Sequence, residues 1–473
     1  MRFSPLRVNA LAAALLAGLV ACAVAPTSDE DASSKRVPSP TPVPETVPTP
    51  PPINPTVDDC NVTPPNVAVT TALLTSGLPC QPQFVPPFNL DNLQHGFDYY
   101  SWLTFIALNA ATPNTAPLAP NDAPTLWQDY AEISDLMLPD GKTPAPWGSP
   151  RVIPAACKSV AGADGLRVMR KSMIIKTVTG EVIEPFDTGP LIDQNGNYVR
   201  YEILVNQPMY EFIVQNGLYS KAGQAAFQGP VVFPEGANAQ GTSGTMGAIM
   251  VKAAWKVMGA NDDTSRFHIV EGLAYNPPSE NPKVEESCSK VTLGLVGWHA
   301  AHKTDDAPQW IWSTFEHVDN VPSDDAVKSG QLQAHYNFYR PGCSTKDCPI
   351  NEPPPRPWNP DVQPFPGGYT SQITRVIPLS PETVALNASF QAILAGTVWP
   401  NYELISTQWP TDATSPVDPT GVPAPDFLAN ATLETYIQGT VPQSSSSCMA
   451  CHGNAADTTG RASDFTFILE RAH

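Results

Sequence analysis

Near its C-terminal end the chain carries Cys448, Met449, Ala450, Cys451 and His452, a C-x-x-C-H run. That spacing suits covalent attachment of a c-type haem. Thiols on neighbouring turns of chain reach the two vinyl groups on one edge of a porphyrin, and the histidine that follows offers an imidazole nitrogen to the iron as an axial ligand. Ser444–Ser447 before the run and Gly453 after it favour a short helical turn entered and left by pliant chain. A C-x-x-C pair alone also serves zinc sites and thiol–disulfide exchange. Zinc calls for a second pair of ligands, and only Cys343 and Cys348 approach that, at a looser spacing. A redox dithiol calls for a βαβ setting, which the surrounding sequence lacks.

A second axial ligand must come from upstream, because 21 residues follow His452 and none of them is methionine. The candidates are His299, His302 and His317, which sit in the clearest hairpin of the chain. Val291–His302 alternates into a strand, Lys303–Pro308 makes the turn, and Gln309–Val318 returns with Trp310, Ile311, Trp312 and Phe315. In simple register about that turn, His299 lies across from Trp312 on one face, and His302 and His317 point to the other. Met209, Met246, Met250 and Met258 fit core packing better than ligation. Lys252 is out of place on an otherwise apolar strand; the plain alternative is a residue snorkelling from a sheet edge. Gly229–Gly247 is glycine-rich but lacks phosphate-cradling spacing, so no nucleotide is assigned. No Ser/His/Asp or Cys/His nucleophile pattern is present.

The elements that must position these residues suggest an α+β fold, mainly β. One large β-rich domain over 58–439 carries a few packing helices and is followed by a haem-binding segment over 440–473. Low charge (15%) and 54 prolines favour loops and strands over helices. Apolar spacing of three to four residues predicts a helix over Asn89–Ala110, with Leu93, Phe97, Tyr100 and Leu103 on its face. A second helix is expected over Met209–Phe227, broken near Gly217 and Gly223. A third starts at Ser380 and Pro381 and runs to about Ala395. A short fourth is expected over Phe427–Gln438. Strands are expected at Lys171–Val178, Val199–Val205, Ile249–Lys256 and Phe267–Tyr275.

The N-terminal end reads as an export signal over 1–22, with Arg2 and Arg7 ahead of a short apolar run, Leu11–Val20. Leu19-Val20-Ala21-Cys22 resembles a bacterial lipobox. The resemblance implies cleavage before Cys22, lipid on its thiol and, with Ala23 next, an outer-membrane anchor facing the periplasm. Residues 23–57 form a tether, nine of the 18 residues from Pro38 to Pro55 being proline. Setting aside Cys22, Cys448 and Cys451 from nine cysteines leaves Cys60, Cys80, Cys157, Cys288, Cys343 and Cys348. An even remainder in an oxidising compartment suggests disulfides, and nearness favours Cys343–Cys348 and Cys60–Cys80, leaving Cys157–Cys288. A formal charge of −19 makes nucleic acid a poor partner and a basic redox protein a better one.

Several runs together resemble a known group. They are Trp102-Leu-Thr-Phe-Ile-Ala-Leu-Asn109, Val251-Lys-Ala-Ala-Trp255, Gly297-Trp-His-Ala-Ala-His-Lys303, Trp310-Ile-Trp-Ser-Thr-Phe-Glu-His317-Val-Asp-Asn320 and Cys448–His452. Over roughly 90–473 the chain is similar to large exported bacterial proteins of the cytochrome c family, which implies one covalent haem without an assigned reaction. A weaker likeness to P460-type cytochromes rests on haem placement and β content alone. The expected function is monohaem electron transfer at the bacterial cell envelope. Two alternatives stand: a haem oxidoreductase or gas sensor with an open iron position, acting on peroxide or small nitrogen oxides, and a ligand-binding module with a redox haem appended.

Overall fold

The computed structural model describes residues 68–473 apart from 76, 80, 83–89, 112–121, 152, 164–165, 171–173, 176–177, 180–188, 238–244, 277, 281–282, 306, 356–367, 412–422 and 440–445. The expected signal, tether, Cys22, Cys60 and Cys80 lie outside the described residues, as does most of the strand expected at Lys171–Val178.

The fold is α+β and mainly β, built on one large sheet. In chain order its strands are β1 (Ala131–Glu132), β2 (Arg167–Arg170), β3 (Arg200–Val205), β4 (Ile249–Val257), β5 (Ile269–Asn276), β6 (Ser287–Thr304), β7 (Ala307–His317), β8 (Tyr402–Pro410) and β9 (Pro423–Ala424). Their spatial order is β1-β3-β4-β6-β7-β8-β9; β5 pairs with the first half of β6, and β2 pairs with β5. All pairings are antiparallel except β2 with β5. The 18-residue β6 is the spine, since its second half lies between β4 and β7.

One face of the sheet is closed by α1 (Leu90–Leu108) and by a later helix, Pro381–Ile393. The periodic apolar side of α1 drives this packing. Trp102 stacks on Phe390 at 5.0 Å and Phe105 on Phe315 at 4.3 Å between ring centres. Asn387 accepts a hydrogen bond from Trp102 Nε1 at 2.9 Å and donates to Leu404 O at 2.8 Å, so it ties the two helices' layer to β8. The Pro381–Ile393 helix starts as its sequence suggests, with Ser380 Oγ accepting from the Thr383 amide at 3.0 Å and proline in the first turn.

The opposite face receives α2 (Gln207–Gln215), α3 (Lys221–Ala226) and the C-terminal segment. Met449, Phe465, Ile468, Leu469 and Ala472 share a buried cluster with Met209, Ile213, Met250 and Trp312. The last residues of the chain are therefore part of the core. The helix expected over Met209–Phe227 is two helices, broken at Gly217, whose φ of +68° suits glycine.

Two expectations need correction. Phe427–Gln438 is not a helix; apart from a single turn at Thr435–Ile437 it is irregular. Its polar groups are committed to the sheet and to one another. Asn430 Nδ2 donates to Phe315 O at 2.9 Å, and the Ala431 amide donates to the Glu316 carboxylate at 2.5 Å. The hairpin is also tighter than expected. Thr304 pairs with Ala307, and His302 with Ile311, so Lys303 alone stands opposite residues 308–310 in a bulge where Trp310 takes a φ of +69°. His299 consequently pairs with Thr314, and Trp312 with Ala301. A shift of two residues preserves the face, so His299 and Trp312 still share one side. Strand β8 was not foreseen. Cys157 is bonded to Cys288 and Cys343 to Cys348.

Candidate functional site

Two rows of cross-strand neighbours run over the face that carries the C-terminal segment. One row is Val205, Met250, Ala301, Trp312 and Gln408; the next is Ile203, Lys252, His299, Thr314 and Ser406. Directly paired residues hold their Cβ atoms about 4.5–5.5 Å apart, so Lys252 and His299 are immediate neighbours. Ile203, Met250, Lys252, His299, Ala301 and Trp312 form the floor of a cavity of about 140 Å³. Its remaining walls include Leu428, Glu434 and Ile437, then Ser447, Cys448, Cys451 and His452, and finally Phe467 and Arg471.

The motif folds as the short helix Cys448–His452, which is α5 when Pro381–Ile393 is counted as α4. Ser447 Oγ accepts from the Ala450 amide at 3.3 Å, and Gln408 Oε1 of β8 accepts from the Met449 amide at 2.8 Å. These bonds satisfy amides that a helix N-terminus leaves open. Met449 is fully buried, so the helix is anchored on one side while Cys448, Cys451 and His452 line the cavity on the other.

His452 Nδ1 lies 2.7 Å from Phe465 O. A carbonyl can only accept, so Nδ1 carries the proton and the Nε2 lone pair is left for a metal. That is the usual arrangement behind a metal-bound imidazole. Burial lowers the His452 pKa to about 4, opposed by the bond to Phe465 and assisted by Lys252, so the ring is neutral. The carbonyl is held in place by its neighbours. Asp464 and Phe465 adopt φ values of +51° and +65°, uncommon for non-glycine residues. Asp464 Oδ2 pairs with Lys303 Nζ at 2.6 Å and accepts from the Phe233 amide at 2.7 Å. The Trp312 ring lies 4.5 Å from the imidazole, which fixes its orientation from the floor.

Cys448 and Cys451 are free thiols, whereas the other four described cysteines are paired. Burial, with help from Glu434, pushes Cys451 up to about 11 and Cys448 well above the ordinary thiol range. Thiols that stay neutral at physiological pH are poor at disulfide exchange, which sets the pair apart from a redox dithiol. A zinc site completed by Cys343 and Cys348 is ruled out by the disulfide between them. Among the described residues no group of three or more His, Cys, Asp or Glu side chains is placed to hold a metal ion by itself. The two free thiols on the cavity wall and the tautomer of His452 are the donor set that a covalently held porphyrin would need.

Of the three candidate distal histidines, the structure brings only His299 to the cavity. Among the described residues its Nε2 has no hydrogen-bond partner, and it lies 3.4 Å from Glu434 Oε2. Burial first, then Lys252 and His452, lowers its pKa well below the usual value. His302 projects to the closed face, where Nδ1 meets Tyr100 Oη at 2.6 Å. His317 stacks on Phe267 at 4.0 Å and spends both ring nitrogens on Arg266 O and the Asp319 amide. Of the four methionines weighed, Met250 alone lines the cavity. Sequence reading missed Gln408, Lys303, Asp464, Phe465 and Glu434, because each acts through a partner far away in the chain.

The chain matches no protein-family model, no curated protein and no solved structure.

Proposed function

We propose that this cavity would hold one haem c through Cys448 and Cys451, with His452 and His299 as the residues that would bind its iron, and that the protein transfers single electrons at the bacterial cell envelope. The observation that carries this reading is the convergence of two unpaired thiols, a tautomer-fixed His452 and a His299 Nε2 without a hydrogen bond on one cavity. When bound, the haem supplies a one-electron iron couple. The chain's part is to keep both imidazoles neutral, to orient His452 through Phe465 and Trp312, and to surround the site with apolar walls. Two fixed neutral imidazoles suit electron transfer, since the metal then keeps the same ligands in both oxidation states. Lipid on Cys22 and the proline-rich tether would hold the protein at the membrane, and its acidity would favour a basic redox partner. The resemblance to exported cytochrome c family proteins points the same way.

A second reading, a haem oxidoreductase or sensor with an open iron position, draws on Lys252 and Glu434. Both line the cavity, and electron transfer requires neither. The visible spectrum of the protein matured in an exporting host, oxidised and reduced, with and without carbon monoxide, separates the two. A low-spin, gas-insensitive wild type and a gas-binding His299→Ala variant support electron transfer. A wild type that binds carbon monoxide moves the assignment to the second reading.

A further inference from the structure

Electron transfer gives Lys252 no role, and its place in the fold is unusual. It lies on β4, an interior strand with β3 on one side and β6 on the other, so it cannot reach solvent from a sheet edge. Its side chain instead enters the cavity beside His299. Among the described residues it pairs with no carboxylate, and its ammonium lies over the face of Tyr201, 5.3 Å from Nζ to the ring centre. The nearest acid on the cavity wall is otherwise engaged, because Glu434 Oε2 accepts from the Asn430 amide at 3.0 Å and sits against His299. Arg471, the other cation on the lining, has a partner within the chain. A half-buried ammonium that faces a mostly apolar cavity, with an aromatic face beside it, can still take an anion as partner.

We propose that Lys252 is an anion-recognition residue, its ammonium pairing with a carboxylate or small oxyanion held in the cavity. The inference rests on the haem reading. The same chemistry has two sources: a propionate of the haem itself, or a diffusible anion that enters beside it. Either one gives Lys252 the partner that the chain does not provide.

The test uses full-length, haem-loaded protein as wild type, Lys252→Met and Lys252→Arg. The midpoint potential of each is measured with and without sodium nitrite at constant ionic strength. A cation beside the haem favours the reduced form. Lys252→Met should therefore shift the reduction equilibrium about tenfold towards the oxidised state, ~59 mV for one electron, and Lys252→Arg should restore most of it. If the partner is a propionate, that shift appears with or without nitrite. If the partner diffuses in, nitrite changes the wild-type potential and leaves Lys252→Met unmoved. Haem-loaded wild type and Lys252→Met with equal potentials and equal nitrite responses overturn the proposal while the haem reading stands. Wild type without haem overturns both.

Discussion

The two faces of the sheet are made from the same strands yet serve different ends. On the closed face, alternate residues of β6 (Trp298, Ala300 and His302) are sealed under α1 and the Pro381–Ile393 helix. On the other, the intervening residues His299 and Ala301 form the floor of a cavity. His302 and His299 are three positions apart, and only the side on which each emerges separates a packing histidine from a candidate ligand. A period of two along a strand is enough to divide structural from chemical work, provided that something other than a helix layer covers the second face. Here the covering is the end of the chain, fastened by Lys303 to Asp464 and by Gln408 to the Cys448–His452 helix.

The described cysteines draw the same contrast, four paired and two left free at the cavity. Replacing Cys157 and Cys288 by serine should have the largest effect on stability. Their sequence separation of 131, against 5 for Cys343–Cys348, translates into ~5 and ~2 kcal/mol of lost loop constraint respectively. Urea titration of the two double variants checks the order. Truncation on the closed face should come next. Trp102→Ala should cost ~3–5 kcal/mol, because its ring lies between Phe390, Phe315 and Phe105, whereas Ile203→Ala on the cavity floor should cost under ~2 kcal/mol. Equal losses would erase the distinction between the faces.

Asp464→Asn leaves Lys303 buried without its close partner and should cost ~3 kcal/mol. The loss should be concentrated in the C-terminal segment, seen as faster proteolysis after residue 440 with the rest of the sheet still folded. The smallest effect sharpens the closed face. Burial raises the Asp98 pKa to about 6, against hydrogen bonds from Thr383, Thr407 and Gln94 that lower it. The folded protein holds that proton more tightly than the unfolded chain. Its contribution is therefore full below the ordinary carboxylate value and is lost as pH rises through about 6. Stability of the wild type relative to Asp98→Asn should fall by ~2 kcal/mol between about pH 4.5 and about pH 7. An unchanged difference would contradict the assignment.

What could be read from the sequence was local. The helix Leu90–Leu108, the strands Arg200–Val205 and Ile249–Val257 and the aromatic hairpin each announce themselves by period. The face shared by His299 and Trp312 was legible by parity and survived the bulge at Lys303. Which face bears the cavity was not legible, since that depends on where the last 21 residues dock. Residues 427–434 kept an apolar, helix-like pattern, yet their hydrogen bonds to β7 overrode it. That Lys252 lies on an interior strand is not legible either, because strand order is a property of the fold and leaves no mark at the residue itself.

The central claim is that Cys448 and Cys451 hold a haem covalently. Intact-mass measurement of the matured protein after full denaturation tests it most directly. A chain that retains the mass of one haem when unfolded, and loses it when both cysteines are replaced by alanine, is the predicted result. A denatured wild-type chain of polypeptide mass alone, with Cys448 and Cys451 free or bonded to each other, would contradict the account.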